Sequence, residues 1–333
     1  MIKIFGINGF GRFGIHLLRF YLKNQKKNKF YIKYINDKSL TFTKIKQIIS
    51  NDAYIKLHEF DLKFNKNSIT FFSKSKNKFQ IFFTNTPIKR INWLNSIDYF
   101  LECGGEKIQN LRFILKQNNN IKNIILSATS HEVNKTLIYG FNHKEYTSKF
   151  KTISYGSCTV NAFVPLANVI NKFFLIENCD VNVIHNLPEY KLKNKENYKI
   201  ERRFCTLTSS APKLLKFINN NNFNVNYSLV PYSGPSIMDI RFKIKKKPQS
   251  LKSLITKVKN ELKTIYDFDA IDKGSNSYKF ILNNLKIIIS NSSLKDKTLY
   301  LSGYFDNENS VVRFYDIINH ILQTNNIKNV KKM

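Results

Sequence analysis

Three glycines, Gly9, Gly11 and Gly14, stand between an apolar run at residues 3–7 and a helix-periodic run carrying Ile15, Leu17, Leu18, Phe20, Tyr21 and Leu22. Few short patterns constrain a fold so tightly. The first glycine permits a tight turn, the second lets backbone approach a pyrophosphate, and the third lets the helix pack closely on the strand. A second strand-like run at residues 31–35 ends on Asn36-Asp37. Strand, glycine turn, helix, strand and acid together open a dinucleotide-binding βαβ unit, with the pyrophosphate resting on the free N–H groups of the helix N-terminus. Asp37 is placed to accept hydrogen bonds from ribose hydroxyls. Its charge repels a 2′-phosphate, so the expected cofactor is NAD in preference to NADP.

Further along, residues 69–72 and 79–83 flank a polar segment and read as a hairpin. Runs at 99–101 and 124–126 stop at Glu102-Cys103-Gly104-Gly105 and at Ser127-Ala128-Thr129. Strands that end on small or polar residues mark the ligand edge of a doubly wound sheet. After residue 158 the texture changes. Residues 164–174 and 214–218 read as helix, and 181–185, 238–244 and 286–290 as strands of a mixed sheet. Residues 188–206 read as a long basic loop and 219–222 as a surface loop. Residues 311–322 form an amphipathic helix with a tail frayed from Thr324. The predicted fold class is α/β: a Rossmann domain from residues 1–157 with 307–333, and an α+β domain with a mixed sheet at 158–306.

The chain of 333 residues is 42% hydrophobic and 14% aromatic, enough for two cores. Its net charge of +31 comes almost entirely from lysine spread among asparagine, isoleucine, phenylalanine and tyrosine. These residues share A/T-rich codons, and no nucleic-acid-reading motif accompanies them. The expectation is therefore weak, salt-sensitive attraction to polyanions and no specific nucleic-acid partner. No apolar run is long enough to span a bilayer. The opening residues lack the pattern of an export signal, so the expected compartment is the cytoplasm and no membrane partner is expected. The four cysteines, Cys103, Cys158, Cys179 and Cys205, form no C-x-x-C pair. They are expected to be free thiols without a zinc site or any other metal.

Cys158 differs from the other three in position. It opens an apolar helical run, with Ser157 or Thr159 available as a cap, and helix N-termini stabilise thiolates. His185 follows 27 residues later in a strand-like run and is the candidate base. His16, His58 and His320 sit in a cofactor-domain helix, a charged loop and the terminal helix, poorer settings for that role. A thiol nucleophile, a base and a nicotinamide cofactor together imply aldehyde oxidation through a thioester, with the Cys158 N–H and the His185 imidazolium as oxyanion donors.

On these residues the whole chain resembles the glyceraldehyde-3-phosphate dehydrogenase family, including its erythrose-4-phosphate relative. Gly6-Ile7-Asn8-Gly9-Phe10-Gly11-Arg12-Phe13-Gly14 is close to the family's opening, and Asn36-Asp37 matches its ribose-binding acid. Tyr155-Gly156-Ser157-Cys158-Thr159-Val160-Asn161 resembles its active-site box, with Val160 where threonine is usual. Tyr304-Phe305-Asp306-Asn307-Glu308 resembles its C-terminal box. The resemblance implies that Gly9, Gly11, Arg12, Phe13, Asp37 and Ser127 contact NAD and that Asn307 holds the carboxamide. It implies substrate contacts from Ser157, Thr159, Ser209 and Ser210. It also implies a homo-oligomer, a tetramer or a dimer, that places the chain in glycolysis.

The resemblance breaks where the family binds phosphate. Pro188 stands for a threonine, Ala211 for another threonine, and Leu229 for an arginine before Val230-Pro231. The loop between His185 and Ser209 is short for the family, and the aromatic stretch after Asn307 is cut to Asn309-Ser310. Leucine cannot replace a bidentate guanidinium. Lys191, Lys193, Lys195, Lys199, Arg202 and Arg203 lie in the shortened loop, either as replacement charge or as a solvated face. Three readings stay open: the family's reaction with an altered pocket, oxidation of another sugar-derived or non-phosphorylated aldehyde, and a fold relic that binds nucleic acid. Inorganic phosphate or water would release the acyl group.

Overall fold

The computed structural model describes residues 2–24, 28–51, 60–73, 78–187, 189–275 and 284–330. His58 and Pro188, both weighed above, lie outside them. The chain divides into two compact units. The first comprises Met1–Leu137, Glu145–Tyr155 and Phe314–Met333, and the second comprises Ile138–Lys144 and Gly156–Arg313. The sequence boundaries differ in three places: residues 138–144, 156–157 and 307–313 belong to the second unit.

The first unit runs β1 (Lys3–Asn8), α1 (Arg12–Lys23), β2 (Phe30–Asn36), α2 (Phe42–Asn51), β3 (Phe60–Phe64), β4 (Ser68–Ser73), β5 (Lys78–Thr84), β6 (Tyr99–Glu102), α3 (Ile108–Gln117), β7 (Asn123–Leu126), β8 (Lys135–Thr136) and β9 (Thr152–Ser154). Its sheet has the order β3-β4-β5-β2-β1-β6-β7-β9-β8. The strands from β5 to β8 run parallel, β4 pairs antiparallel with β5, and β3 pairs antiparallel with β4. Both faces of the central parallel strands are covered, so they read as nearly unbroken apolar runs. Phe5, Ile7, Phe100, Leu101, Ile124 and Ile125 have no solvent exposure. The hairpin expected at residues 69–83 is present, and β3 extends it by a strand the sequence did not reveal.

The second unit runs α4 (Cys158–Phe174), β10 (Ile176–His185), α5 (Glu189–Leu192), β11 (Glu201–Arg202), α6 (Thr206–Leu214), β12 (Phe223–Leu229), β13 (Ser236–Ile244), α7 (Leu251–Leu262), β14 (Tyr266–Asp269), β15 (Leu285–Lys295) and β16 (Thr298–Phe305), with α8 (Asn307–Val330) continuing into the first unit. Its sheet, β11-β12-β10-β13-β16-β15-β14, is mixed. The β10–β12 and β14–β15 pairs are parallel and the rest antiparallel. Pro165 lies inside α4 and supplies no N–H to the carbonyl of Asn161. The buried Tyr266 hydroxyl, 3.3 Å from that carbonyl oxygen and 2.8 Å from that of Ala162, takes its place and the helix continues.

Three expectations are corrected. The helix expected at 214–218 lies upstream, as α6. Thr206, Thr208, Ser209 and Ser210, all weak helix formers, hid it in the sequence, and 215–218 form a turn. The 188–206 segment is more than a loop: it carries α5 and the edge strand β11, whose Glu201 and Arg202 pair with Leu229 and Ser228. The tail from Thr324 stays helical to Val330. Asn325 Nδ2 ties it down by donating to the Tyr99 and Tyr146 hydroxyls at 2.9 and 3.0 Å.

Among the described residues, no helix is long and apolar enough to cross a membrane, and no group of three His, Cys, Asp or Glu is arranged to hold a metal.

His16 sits in α1, 5% exposed. Burial, and then the charges of Arg12 and Arg19, lower its pKa from 6.5 to about 3. The unfolded chain takes up a proton near pH 6.5 that the folded chain refuses until about pH 3. This group therefore stabilises the fold above pH 6.5 and the contribution is lost as pH falls towards 3, on the order of 2 kcal/mol at pH 5. The melting temperature of the wild type should fall more between pH 7.5 and pH 4.5 than that of His16→Leu. Equal falls in the two proteins would refute the assignment.

Candidate active site

In the first unit, the C-terminal ends of β1, β2 and β6 enclose a cavity of about 160 Å³ lined by Asn8, Gly9, Asp37, Lys38, Ser39, Ile88, Gly104, Gly105 and Glu106. Gly9 has φ +95°, and a Cβ there would meet the Gly104 nitrogen at 2.2 Å. A Cβ on Gly14 would meet the Gly9 carbonyl oxygen at 2.3 Å, whereas Gly11 faces open space. Gly11 also caps α1 without a side-chain hydrogen bond, and no acidic residue stands in the first turn. The helix N-terminus is thus left to an anionic ligand. The Asp37 carboxylate accepts from the backbone N–H of Phe10 at 2.7 Å, Ser39 at 2.8 Å and Leu40 at 3.1 Å. This fixes its position at the end of β2.

Glu102, not singled out from the sequence, ties together three of the lining residues, Asn8, Gly104 and Glu106. It is 2% exposed. It accepts from Asn8 Nδ2 at 2.7 Å and from the N–H groups of Gly104 at 2.6 Å and Glu106 at 3.2 Å. Burial raises its pKa, and these hydrogen bonds oppose the rise. A tight glycine turn, an uncapped helix end and a fixed carboxylate fit a dinucleotide. Of the other residues named for the cofactor, Arg12 opens α1. The Phe13 ring packs on Tyr155 and Phe314 at 5.7 and 5.3 Å. Ser127 sits at the tip of β7, its N–H bonded to the Glu102 carbonyl. Asn307 begins α8, and its side chain lies outside the described residues.

In the second unit, Cys158 is the first residue of α4. Ser157 caps the helix, its Oγ accepting from the Val160 N–H at 3.4 Å. His185 is the last residue of β10, and its Nε2 lies 3.5 Å from Cys158 Sγ. Its Nδ1 lies 2.9 Å from the carbonyl oxygen of Asn186. A carbonyl only accepts, so Nδ1 carries the proton and Nε2 presents its lone pair to the thiol. The imidazole is further held by the rings of Tyr227 and Phe305, at centroid distances of 5.4 and 5.8 Å.

The environment of the thiol corrects one expectation. Burial, then the proximity of Cys205 and Asp306, push the Cys158 thiol up to about 12, while the N–H groups of Thr159 and Cys158 pull it down. The helix N-terminus does not by itself hold this thiol as a resting thiolate. Asp306 is fully buried. Asn186 Nδ2 donates to its carboxylate oxygens at 3.3 and 3.2 Å, and Asn309 Oδ1 accepts its N–H at 3.1 Å.

Ser157 Oγ contacts Thr159 Oγ1 at 3.0 Å and Thr206 Oγ1 at 2.9 Å, and Cys205 Sγ donates to Thr159 Oγ1 at 3.7 Å. Of the residues named for substrate, Ser157 and Thr159 therefore flank the thiol. Ser209 bonds the Thr206 carbonyl instead, and Ser210 is buried in α6. Thr206 joins Ser157 and Thr159 in this hydroxyl cluster. Its only sequence signal is that it opens a helix whose cap, Cys205, packs against Thr159. Leu229 is buried beside His185 as its register partner, and Ala211 is fully buried. Lys191, Lys193, Lys195, Lys199, Arg202 and Arg203 are all exposed.

No protein-family model matches the chain. Curated proteins do, over nearly full length. It is 25% identical to a glyceraldehyde-3-phosphate dehydrogenase of Phytophthora infestans, over 95% of this chain and 98% of that one. It is 25% identical to the cytosolic glyceraldehyde-3-phosphate dehydrogenase of Dianthus caryophyllus, over 97% and 98%. It is also 25% identical to the glyceraldehyde-3-phosphate dehydrogenase of Helicobacter pylori, over 92% and 95%. With its α/β fold and end-to-end similarity, the chain is a diverged relative of the glyceraldehyde-3-phosphate dehydrogenases.

Proposed function

We propose that the protein is an NAD-dependent aldehyde dehydrogenase acting through a thioester on Cys158, with a substrate pocket altered from that of its relatives. The observation that carries this reading is the 3.5 Å contact between Cys158 Sγ and His185 Nε2, with the imidazole tautomer set by the Asn186 carbonyl. Cys158 Sγ attacks the aldehyde carbon while Nε2 takes the thiol proton. The resulting oxyanion is stabilised by the Cys158 N–H and the imidazolium. NAD, when bound, supplies the hydride acceptor. The acyl group left on sulfur is released by phosphate or water, with His185 as base. Gly9, Gly11, Asp37 and the N-terminus of α1 would hold the adenosine half of NAD, and Asn307 the carboxamide. A cytoplasmic homo-oligomer is part of the same reading.

Cys158→Ser should abolish NADH formation while NAD binding, followed by titration, persists. Because the thiol is held up to about 12, its reactivity near neutral pH depends on His185. In His185→Ala, alkylation of Cys158 by iodoacetamide at pH 7 should fall by more than about tenfold and recover only as pH rises towards the thiol's own value. An unchanged rate would sink the mechanism. For the cofactor, wild-type protein should bind NAD more tightly than NADP, and Asp37→Ala should narrow the gap; a wild-type preference for NADP would overturn the assignment. Light scattering should give a mass at least twice the 39.1 kDa of one chain, and a monomer mass would contradict the assembly.

A further inference from the structure

Side chains alternate along a strand, so Tyr227 and Leu229 lie on one face of β12. Leu229 is the register partner of His185 and is 8% exposed. Tyr227 pairs in register with Val183 and sends its ring to the catalytic imidazole, 5.4 Å between centroids at an interplanar angle of 39°. Burial, then Cys158 and Cys205, raise the pKa of the phenol, so it keeps its proton as a hydrogen-bond donor. Among the described residues, this hydroxyl has electrostatic contacts with Cys158, Cys205 and Arg203 and no hydrogen bond.

The polar groups gathered at the thiol are neutral hydroxyls, on Ser157, Thr159 and Thr206, together with the buried carboxylate of Asp306, which acts electrostatically on Cys158. The cations of residues 191–203 face solvent. Arg203, exposed and bonded to Glu201 at 2.8 Å, also acts electrostatically on the Tyr227 phenol, whose pKa it lowers. At the sulfur an anionic group would meet the charge of Asp306, whereas an uncharged substrate bearing hydroxyls would meet donors and acceptors of its own kind.

We propose that Tyr227 is a specificity-determining residue of the thiol–imidazole site, its phenol donating a hydrogen bond to an oxygen of an uncharged hydroxyaldehyde. This rests on the reading of Cys158 and His185 as an aldehyde-oxidising pair. A site built to hydrogen-bond a substrate oxygen discriminates strongly when one partner is lost, because the other is left unpaired.

Tyr227→Phe keeps the ring against His185 and removes only the hydroxyl. The test measures NADH formation by the full chain from glyceraldehyde and from glyceraldehyde 3-phosphate, with the rate of Cys158 alkylation by iodoacetamide at pH 7 measured in parallel. The wild type should have the higher kcat/KM on glyceraldehyde. Tyr227→Phe should lower that value about tenfold and leave alkylation within about twofold, a split that a purely structural role would not give. Three results overturn the proposal and leave the thioester reading standing: a wild-type preference for the phosphorylated aldehyde, activity of the variant on glyceraldehyde within about twofold of wild type, or alkylation that falls in step with activity. If wild-type protein makes no NADH from either aldehyde while Cys158 still alkylates, the thioester reading fails and the proposal with it.

Discussion

The packing of α4 on the second sheet is the interaction on which the site depends. Val160, Phe163, Val164, Leu166, Ala167 and Ile170 of this helix have no solvent exposure. Phe163 stacks against Phe242 of β13 and lies against Phe223 of β12, at 6.1 and 5.3 Å. Each large apolar side chain buried in this way is worth roughly 1.5–3 kcal/mol. A slip of one residue would turn the helix by about 100° and expose several of them. The helix therefore has one register, and that register puts its first residue, Cys158, at the end of β10 where His185 stands. Pro165 threatens this helix midway, and the Tyr266 hydroxyl removes the threat by reaching the Asn161 carbonyl that proline leaves without an amide, and the Ala162 carbonyl beside it.

The same burial sets the chemistry. A thiol in apolar surroundings beside Cys205 and Asp306 resists ionisation. The imidazole that faces it has a fixed orientation. The Asn186 carbonyl supplies that orientation, and Asn186 is itself 2% exposed and bonded to Asp306 and to the Gly234 carbonyl. The tautomer of the base is thus anchored in a polar network inside the core, where an unmade hydrogen bond is expensive.

The dinucleotide cleft follows a different principle. Here the chain brings backbone against backbone, Gly9 against Gly104, and uses a buried carboxylate, Glu102, to gather the N–H groups of the 104–106 turn and the Asn8 amide. Parallel strands all end at one edge of the sheet, so one edge collects these loops whatever their individual sequences.

How much of this was legible varies with the range of the interaction. The βαβ opening, the doubly wound sheet, the cap at Ser157 and the candidate pair Cys158 and His185 are short patterns in which residue type and neighbours carry the signal. The sequence by itself therefore determined the elements near the glycines and singled out the two side chains, Cys158 and His185, that the fold brings to 3.5 Å. It misplaced α6, because four Ser and Thr residues of low helix propensity mask an apolar face that only the core selects. It took the tail for frayed, because Tyr99 and Tyr146, which hold Asn325, lie about 180 to 230 residues away in the chain. The pKa of Cys158, the tautomer of His185, the contact of Thr206 with Ser157 and the presence of Tyr227 beside the imidazole were decided by tertiary structure alone. Each arises from groups far apart in sequence meeting in a medium of low polarity, where burial and distance, neither of them written in local residue order, set the energy.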